Sequence, residues 1–518
     1  MDQNESSFSK IRSFLWPIHR YELVKFIPML AFFFLISINY HILKILKDSL
    51  IITAPKSGAE VIPFLKVWAM LPTAILVTSL FTKLANKHKR ENLFYFVALG
   101  FISFFLFFIL VLYPNRESLH LHKFADSLSQ ILPVGFSGMI SLIRYWVYAL
   151  FYVIAESWST LMLSILMWGF ANDVITIQES KRFYPLFGVG KNSSGIIAGQ
   201  LGALIATKLS ATSFSITPFA AKLGAKTPWD QTLLFFIMLV VGLTLLAIII
   251  HYRLYNNVFS EHKTKPQSAN SPINKKPKMS LRSSVSYVLK SKYVLYIAVT
   301  VLAYNAIINF SEVLWKSQIK ELYPSPADYT AYMSKVTSFI GIFATFTAFF
   351  ISGGLIRKFE WKIAASTVPF IMYLSGALFF YFLFNKHFGL TKASIFGMTP
   401  LMLAVLFGSI QNCLSRAAKF TIFDNTKEMA LIPLSKEDKL KGKAAIDGVG
   451  SRLGKSGSSL MMQLLLIFFS TPIGCSPAIL VLFILIIPFW LKAINYVGKE
   501  YEERTAPKLA PVIETTKN

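Results

Sequence analysis

The chain has 518 residues, of which 54% are hydrophobic and only 15% charged, against about a quarter charged in a soluble domain. Lys and Arg number 52 against 26 Asp and Glu, a formal net charge of +26. This composition excludes an ordinary soluble globule, and it reads the basic excess as positive loops and attraction to anionic lipid rather than as nucleic-acid binding.

The N-terminal stretch MDQNESSFSKIRSFLWPIHRYELVK is polar, carries Asp2 and Glu5, and lacks the apolar core and cleavage site of a signal peptide. The first apolar block is therefore expected to stay as a membrane span. Apolar blocks follow near 25–46, 60–84, 93–113, 140–168, 186–207 and 231–252, then near 293–315, 334–356, 362–385, 395–415, 445–470 and 475–495. Each approaches the 18 or so residues that cross a bilayer. Twelve spans are expected in an all-α polytopic membrane protein, with the fourth and eleventh weakest because polar residues interrupt them. Two cysteines, Cys413 and Cys475, exclude a disulfide scaffold or a cysteine metal cluster.

The loops alternate in charge. KLANKHKREN (83–92), ESKRF (179–183), LIRKFEWK (355–362), the segment from Arg416 to Lys443 and the linker around 256–292 are basic and fall on one side. The positive-inside rule places that side, with both termini, in the cytoplasm. The expected organisation is a six-helix half over 1–253, a basic cytoplasmic linker over 254–291, a second six-helix half over 292–498 and a polar cytoplasmic tail over 499–518. Short repeats agree with this plan. Ile38-Asn39-Tyr40 in the first span is echoed by Ile308-Asn309-Phe310 in the seventh. Gly188-Val189-Gly190-Lys191 in the fifth is echoed by Gly448-Val449-Gly450 in the eleventh, the order that two parallel repeats produce.

An ionisable side chain at the centre of a span costs roughly 2.5–3.5 kcal/mol to insert, so it marks a candidate functional site. Lys47 ends the first span, with Lys44 one turn earlier in a position that also suits snorkelling to the headgroups. Glu156 lies in the middle of the fourth span, too deep to snorkel. Glu312 lies in the seventh, with Lys316 one turn away as a local partner. The segment KGKAAIDGVGSRLGK, from Lys441 to Lys455, leads into the eleventh and holds Lys443, Asp447 and Arg452.

Two glycine-rich runs, GVGKNSSG (188–195) and GVGSRLGKSG (448–457), lack the spacing and strand setting of a phosphate-binding loop. They read either as close helix packing through small residues or as helix starts from which Lys191, Asn192, Lys455 and Ser456 present donors to phosphate. The eight histidines are scattered, and no metal or nucleophile motif occurs, so neither enzymatic activity nor a cofactor or metal is expected.

Several stretches together resemble the ATP/ADP translocases of chlamydiae, rickettsiae and plastids. They are Lys47-Asp48-Ser49-Leu50, Ala155-Glu156-Ser157-Trp158, the run from Glu179 to Gly188, the run from Phe310 to Lys316, and Lys441 to Asp447 with Gly454 to Gly457. The likeness spans about residues 20 to 500 and is greatest for the chlamydial carriers. It implies a twelve-helix, major-facilitator-like fold that imports ATP in exchange for ADP across the bacterial inner membrane, in bacterial members together with phosphate. It also implies four transport-linked charges, which match Lys47, Glu156, Glu312 and a lysine of the last segment: Lys443 first, with Lys441 and Lys455 as alternatives.

An ATP or ADP polyphosphate needs several fixed cations, and Lys47, Lys191, Lys443, Arg452 and Lys455 would supply them from both halves. Tyr152, Asn309 and Phe310 are candidates for the adenine. Lipids are the expected surroundings, with no nucleic acid and no obligatory protein partner. Three other readings remain at this level: a proton-driven nucleotide importer of the same family, a facilitator for another anion, and a module that recruits an anionic partner through its linker.

Overall fold

The computed structural model describes residues 16–88, 90–210, 216–258, 289–352, 359–389, 397–435 and 451–505, with positions 12, 286, 438, 442 and 446. The architecture is all-helical. Its long helices are α1 (Leu23–Ile52), α2 (Val61–Lys87), α3 (Asn92–Leu112), α4 (Trp146–Val174), α5 (Ile177–Leu209) and α6 (Pro228–Asn256). They continue with α7 (Lys292–Leu322), α8 (Pro326–Phe350), α9 (Trp361–Phe388), α10 (Pro400–Ala430), α11 (Ser451–Phe469) and α12 (Ser476–Thr505). Ten of these are long and apolar enough to cross a membrane; α5 and α11 fall short on composition. The expectation for the eleventh block holds. The fourth block departs from it, because its polar residues are packed into a few positions with unbroken apolar sequence on both sides.

Thr227-Pro228, Ser325-Pro326 and Thr399-Pro400 each place a hydroxyl cap before a proline that fits the first helical turn. Several block boundaries move, among them that of α8, which begins at Pro326. The fifth helix begins at Ile177, so ESKRF is helical rather than a loop: Thr176 and Glu179 form a reciprocal cap. The fourth block divides at Tyr145 into a short helix, Val134–Arg144, and α4. Helix α10 runs on to Ala430, which takes Arg416 out of the basic loop and into the bundle. The last helix continues to Thr505, into the stretch expected to be a tail. Most of the linker, 259–285, lies outside the described residues.

Charged and aromatic contacts fix the directions of the helices. Lys25 reaches Glu179 at 2.8 Å and Arg182 reaches Glu22 at 2.5 Å, so α1 and α5 start on the same side. His251 near the end of α6 meets Tyr95 near the start of α3, while Tyr113 beyond the end of α3 donates to Asp230 at the start of α6. Large apolar side chains such as Leu76, Phe96, Phe370 and Phe489 point outward, which suits lipid and not water. Stretches of π-helix interrupt several spans, among them Leu65–Met70 in α2, Ser159–Met167 in α4 and Lys419–Phe423 in α10.

Contacts between the first six and last six helices gather away from the side where α1, α5 and α7 begin. Helix α5 lies against α8, where a Cβ on Gly199 would run into the carbonyl oxygen of Ser334, and Ser338 Oγ donates to the Ile196 carbonyl at 3.0 Å. Ser49 Oγ donates to the Pro326 carbonyl at 3.0 Å and accepts from Thr330. Gln463 of α11 donates to the Pro63 carbonyl and accepts from Trp68. The backbone contact at Gly199 has no room to give, so Gly199→Ala is expected to destabilise the protein by about 1–3 kcal/mol. Gly188→Ala, at a position inside the same helix with nothing within 4 Å, should leave the unfolding temperature in detergent unchanged or slightly raised. Equal melting of the two variants would contradict a tight seam.

Candidate functional site

Helix α1 carries two adjacent charges where its sequence is otherwise apolar. Lys47 and Asp48 are 6% and 1% exposed, and Lys316 of α7 is 3% exposed. Groups buried to this degree persist only when paired. Lys47 Nζ lies 3.3 Å from Asp48 Oδ1 and 3.3 Å from Glu156 Oε2. Lys316 Nζ donates to Asp48 Oδ2 at 2.8 Å and reaches Glu312 Oε1 at 2.8 Å. Arg416 of α10 donates to the same Glu312 oxygen at 2.9 Å, and its Nε donates to Asn412. The result is one continuous chain of alternating sign, Glu156–Lys47–Asp48–Lys316–Glu312–Arg416. It starts in α4, passes through α1, crosses to α7 and ends in α10. Its middle is sealed while its Glu156 end is 33% exposed.

Further cations stand around this chain. Lys44, one turn before Lys47, lies within electrostatic reach of Arg416 and Glu312. Lys455 of α11 is exposed and acts on Glu156 as its second cation after Lys47. Lys191 of α5 lies near Lys419 of α10 and 6.0 Å from the Phe420 ring. Lys419 itself is held by Asp424 at 2.9 Å. Lys66 of α2 donates to the side-chain oxygen of Asn309, whose amide nitrogen in turn donates to Ser458 at 3.0 Å and Ser459 at 2.9 Å. Carboxylates already shared among cations, with further lysines grouped beside them, make a region suited to a multiply charged anion.

Of the residues singled out in the sequence, the structure brings Lys47, Glu156, Glu312, Tyr152 and Asn309 together, with Lys455 beside Glu156. The Lys47 ammonium sits over the Tyr152 ring, 3.7 Å from its centre, so one face of that ring carries a cation, and the buried ring is not free to stack on a base here. Asn309 is likewise engaged on both atoms of its amide, and Phe310 is buried. Lys191 and Asn192 do not sit at a helix start: both lie inside the 33-residue α5, where the backbone donors are already used. The glycine-rich run around them serves packing instead, with Gly195 close against His41. Lys441 and Lys443 lie outside the described residues, as does the side chain of Arg452.

Three site residues were not predicted as such. Asp48 hides at the end of an apolar block, beside a lysine that could have neutralised it alone. Arg416 follows the end of its apolar block and so reads as loop, whereas α10 continues past that point. Lys66 stands near the edge of the second block. Lys316 was legible only as a neighbour of Glu312 on the same helix face.

The fold and this buried charge chain define a polytopic membrane transporter. Over 95% of this chain and all of the other, the helices superpose on a bacterial homologue of the iron transporter ferroportin in its inward-facing state, with a TM-score of 0.54 at 13% identity. The sequence is 41% identical to ADP,ATP carrier protein 1 of Chlamydia muridarum over 513 residues, covering 99% of this chain and 95% of the relative. It is 39% identical to the plastidic ATP/ADP-transporter of Solanum tuberosum over 483 residues, covering 93% and 74%. The chain belongs to the TLC ATP/ADP transporter family, whose pattern it matches over residues 1–501.

Proposed function

We propose that the protein exchanges ATP for ADP by alternating access, importing ATP across the inner membrane of a bacterium, with both termini and the linker in the cytoplasm. The observation that carries this reading is the charge chain from Glu156 to Arg416, flanked by Lys44, Lys191 and Lys455. A polyphosphate brings three to four negative charges, and these lysines come from both sets of six helices, so one bound nucleotide bridges the two halves of the transporter. The names of the relatives, ADP,ATP carriers and an ATP/ADP-transporter, supply the nucleotide that charge alone leaves open. In bacterial members phosphate would accompany ADP outward.

In this reading the two halves touch on the periplasmic side, so the site faces the cytoplasm. Glu156 and Glu312 hold the cations while no nucleotide is bound, and incoming phosphates take over those cations. Purified protein in liposomes tests the assignment. Labelled ATP is expected to enter vesicles loaded with ADP and not empty ones. Uptake into empty vesicles driven by an imposed pH gradient would replace exchange with proton-coupled import, and a transporter for another anion would take up neither nucleotide.

A further inference from the structure

Asp48 is the point at which the charge chain passes from the first six helices to the last six. Its Oδ1 faces Lys47 on its own helix at 3.3 Å, and its Oδ2 accepts from Lys316 of α7 at 2.8 Å. One fully buried carboxylate thus holds together two lysines that belong to opposite sides of the seam. Neighbouring links across this seam, between Ser49 and both Pro326 and Thr330 and between Gln463 and both Pro63 and Trp68, are neutral hydrogen bonds, and the Lys66 ammonium donates to the uncharged amide of Asn309. Water can replace those when the seam opens. It replaces a buried ion pair much less readily, because each half then carries an unbalanced charge in low dielectric.

The sign of that imbalance follows from the order of the chain. Parting Asp48 from Lys316 leaves Glu156, Lys47 and Asp48 on one side, one negative charge in excess. It leaves Lys316, Glu312 and Arg416 on the other, one positive charge in excess. A polyphosphate bound against Lys316 and Arg416 cancels the positive excess, while nearby Lys44 offsets the negative one. Lys44 remains in an empty site, so what the empty protein lacks is an anion to cancel the positive excess on Lys316 and Arg416.

We propose that Asp48 is a positioning residue whose pair with Lys316 latches the seam of the empty protein, so that only a nucleotide-loaded transporter reorients. This rests on the exchange reading above. Asp48 need not touch the nucleotide; it makes exchange obligatory by making the empty return step unfavourable.

The test is Asp48→Asn in proteoliposomes, with Lys316→Gln, which removes the same pair from the other helix, read by seam opening alone because Lys316 also meets the nucleotide. Breaking a latch shifts a two-state equilibrium, and labelled ATP uptake by Asp48→Asn into nucleotide-free vesicles is expected to rise about tenfold or more over wild type. A second readout needs no transport. Ser334 is fully buried in the α5–α8 seam, and the native Cys413 and Cys475 are buried. Modification of a Ser334→Cys background by an impermeant maleimide, with no nucleotide present, is expected to quicken when Asp48→Asn or Lys316→Gln is added.

If folded Asp48→Asn protein stays a strict exchanger and neither variant changes the maleimide rate, the latch is wrong. Loss of exchange with no leak and no gain in modification also overturns it, since that pattern describes a residue needed only for structure or binding. Should wild-type protein fail to exchange ATP for ADP, the exchange reading falls, and the maleimide comparison still decides whether Asp48 holds the seam.

Discussion

Lys47→Ala is expected to lower ATP/ADP exchange at least about 100-fold, the largest effect of any single substitution in the site. Lys47 is the common cation of Asp48 and Glu156 and covers the Tyr152 ring. Removing it leaves two neighbouring carboxylates without their shared cation, and breaking one buried pair alone costs about 3–5 kcal/mol. It also removes a cation from the place where phosphates are to bind, so weaker nucleotide binding should accompany the loss of rate. Initial rates of labelled ATP uptake into ADP-loaded vesicles measure the first effect, and equilibrium binding in detergent measures the second. Lys47→Arg should recover part of both, because the guanidinium can still reach two carboxylates. A Lys47→Ala protein retaining a third of the wild-type rate would remove Lys47 from the site.

Glu312→Gln should fail in the opposite way. The glutamine has nearly the same shape, but Lys316 and Arg416, each within 2.9 Å of the same carboxylate oxygen, lose the anion they share. With Lys316 left to Asp48 alone and Arg416 deprived of its carboxylate, the buried site attracts a polyphosphate more strongly and releases it more slowly. The expected signature is turnover reduced about 100-fold with a lower KM, the pattern of a ground state bound too well. Lower turnover with a raised KM would mean that Glu312 contacts the nucleotide favourably, and that its pairing with Arg416 is incidental.

The contrast between these two variants rests on a site that was only half legible in the sequence. Lys47, Glu156 and Glu312 stood out because a charge inside an apolar block is costly wherever the helix later packs. The long apolar blocks were legible for the same one-dimensional reason. Asp48, Lys66 and Arg416 were not, because their meaning lies in partners more than a hundred residues away or in another helix. Arg416 shows the physical difficulty most plainly. Apolar residues end the block at 415, yet α10 continues for four more turns, since capped backbone and tertiary packing carry a helix past its hydropathy.

At Lys191 a run of glycine and small polar residues leaves two readings open, close helix packing or a helix start. Such a run serves equally well inside a helix that must approach its neighbour closely, as Gly199 does on the same element. Tyr152 lies under the Lys47 ammonium and Asn309 accepts from Lys66, and proximity along the chain says nothing about which face of a ring or amide is already taken.

The π-helical stretches bear on how such a protein can change length. A π turn is an α-helix that has accommodated one extra residue, and Ser159–Met167 begins three residues after Glu156. Losing one residue there can be absorbed by a return to α-helical winding, leaving Glu156 on one flank and Asn172 on the other in their present directions. The same loss in α1, between Lys25 and Lys47, has no slack to draw on. It would turn Lys47 and Asp48 by about 100° about the helix axis, away from Glu156 and Lys316 at once. Loss of one residue is thus tolerable within the π stretches of α2, α4 and α10, and forbidden in the helix that holds the centre of the charge chain.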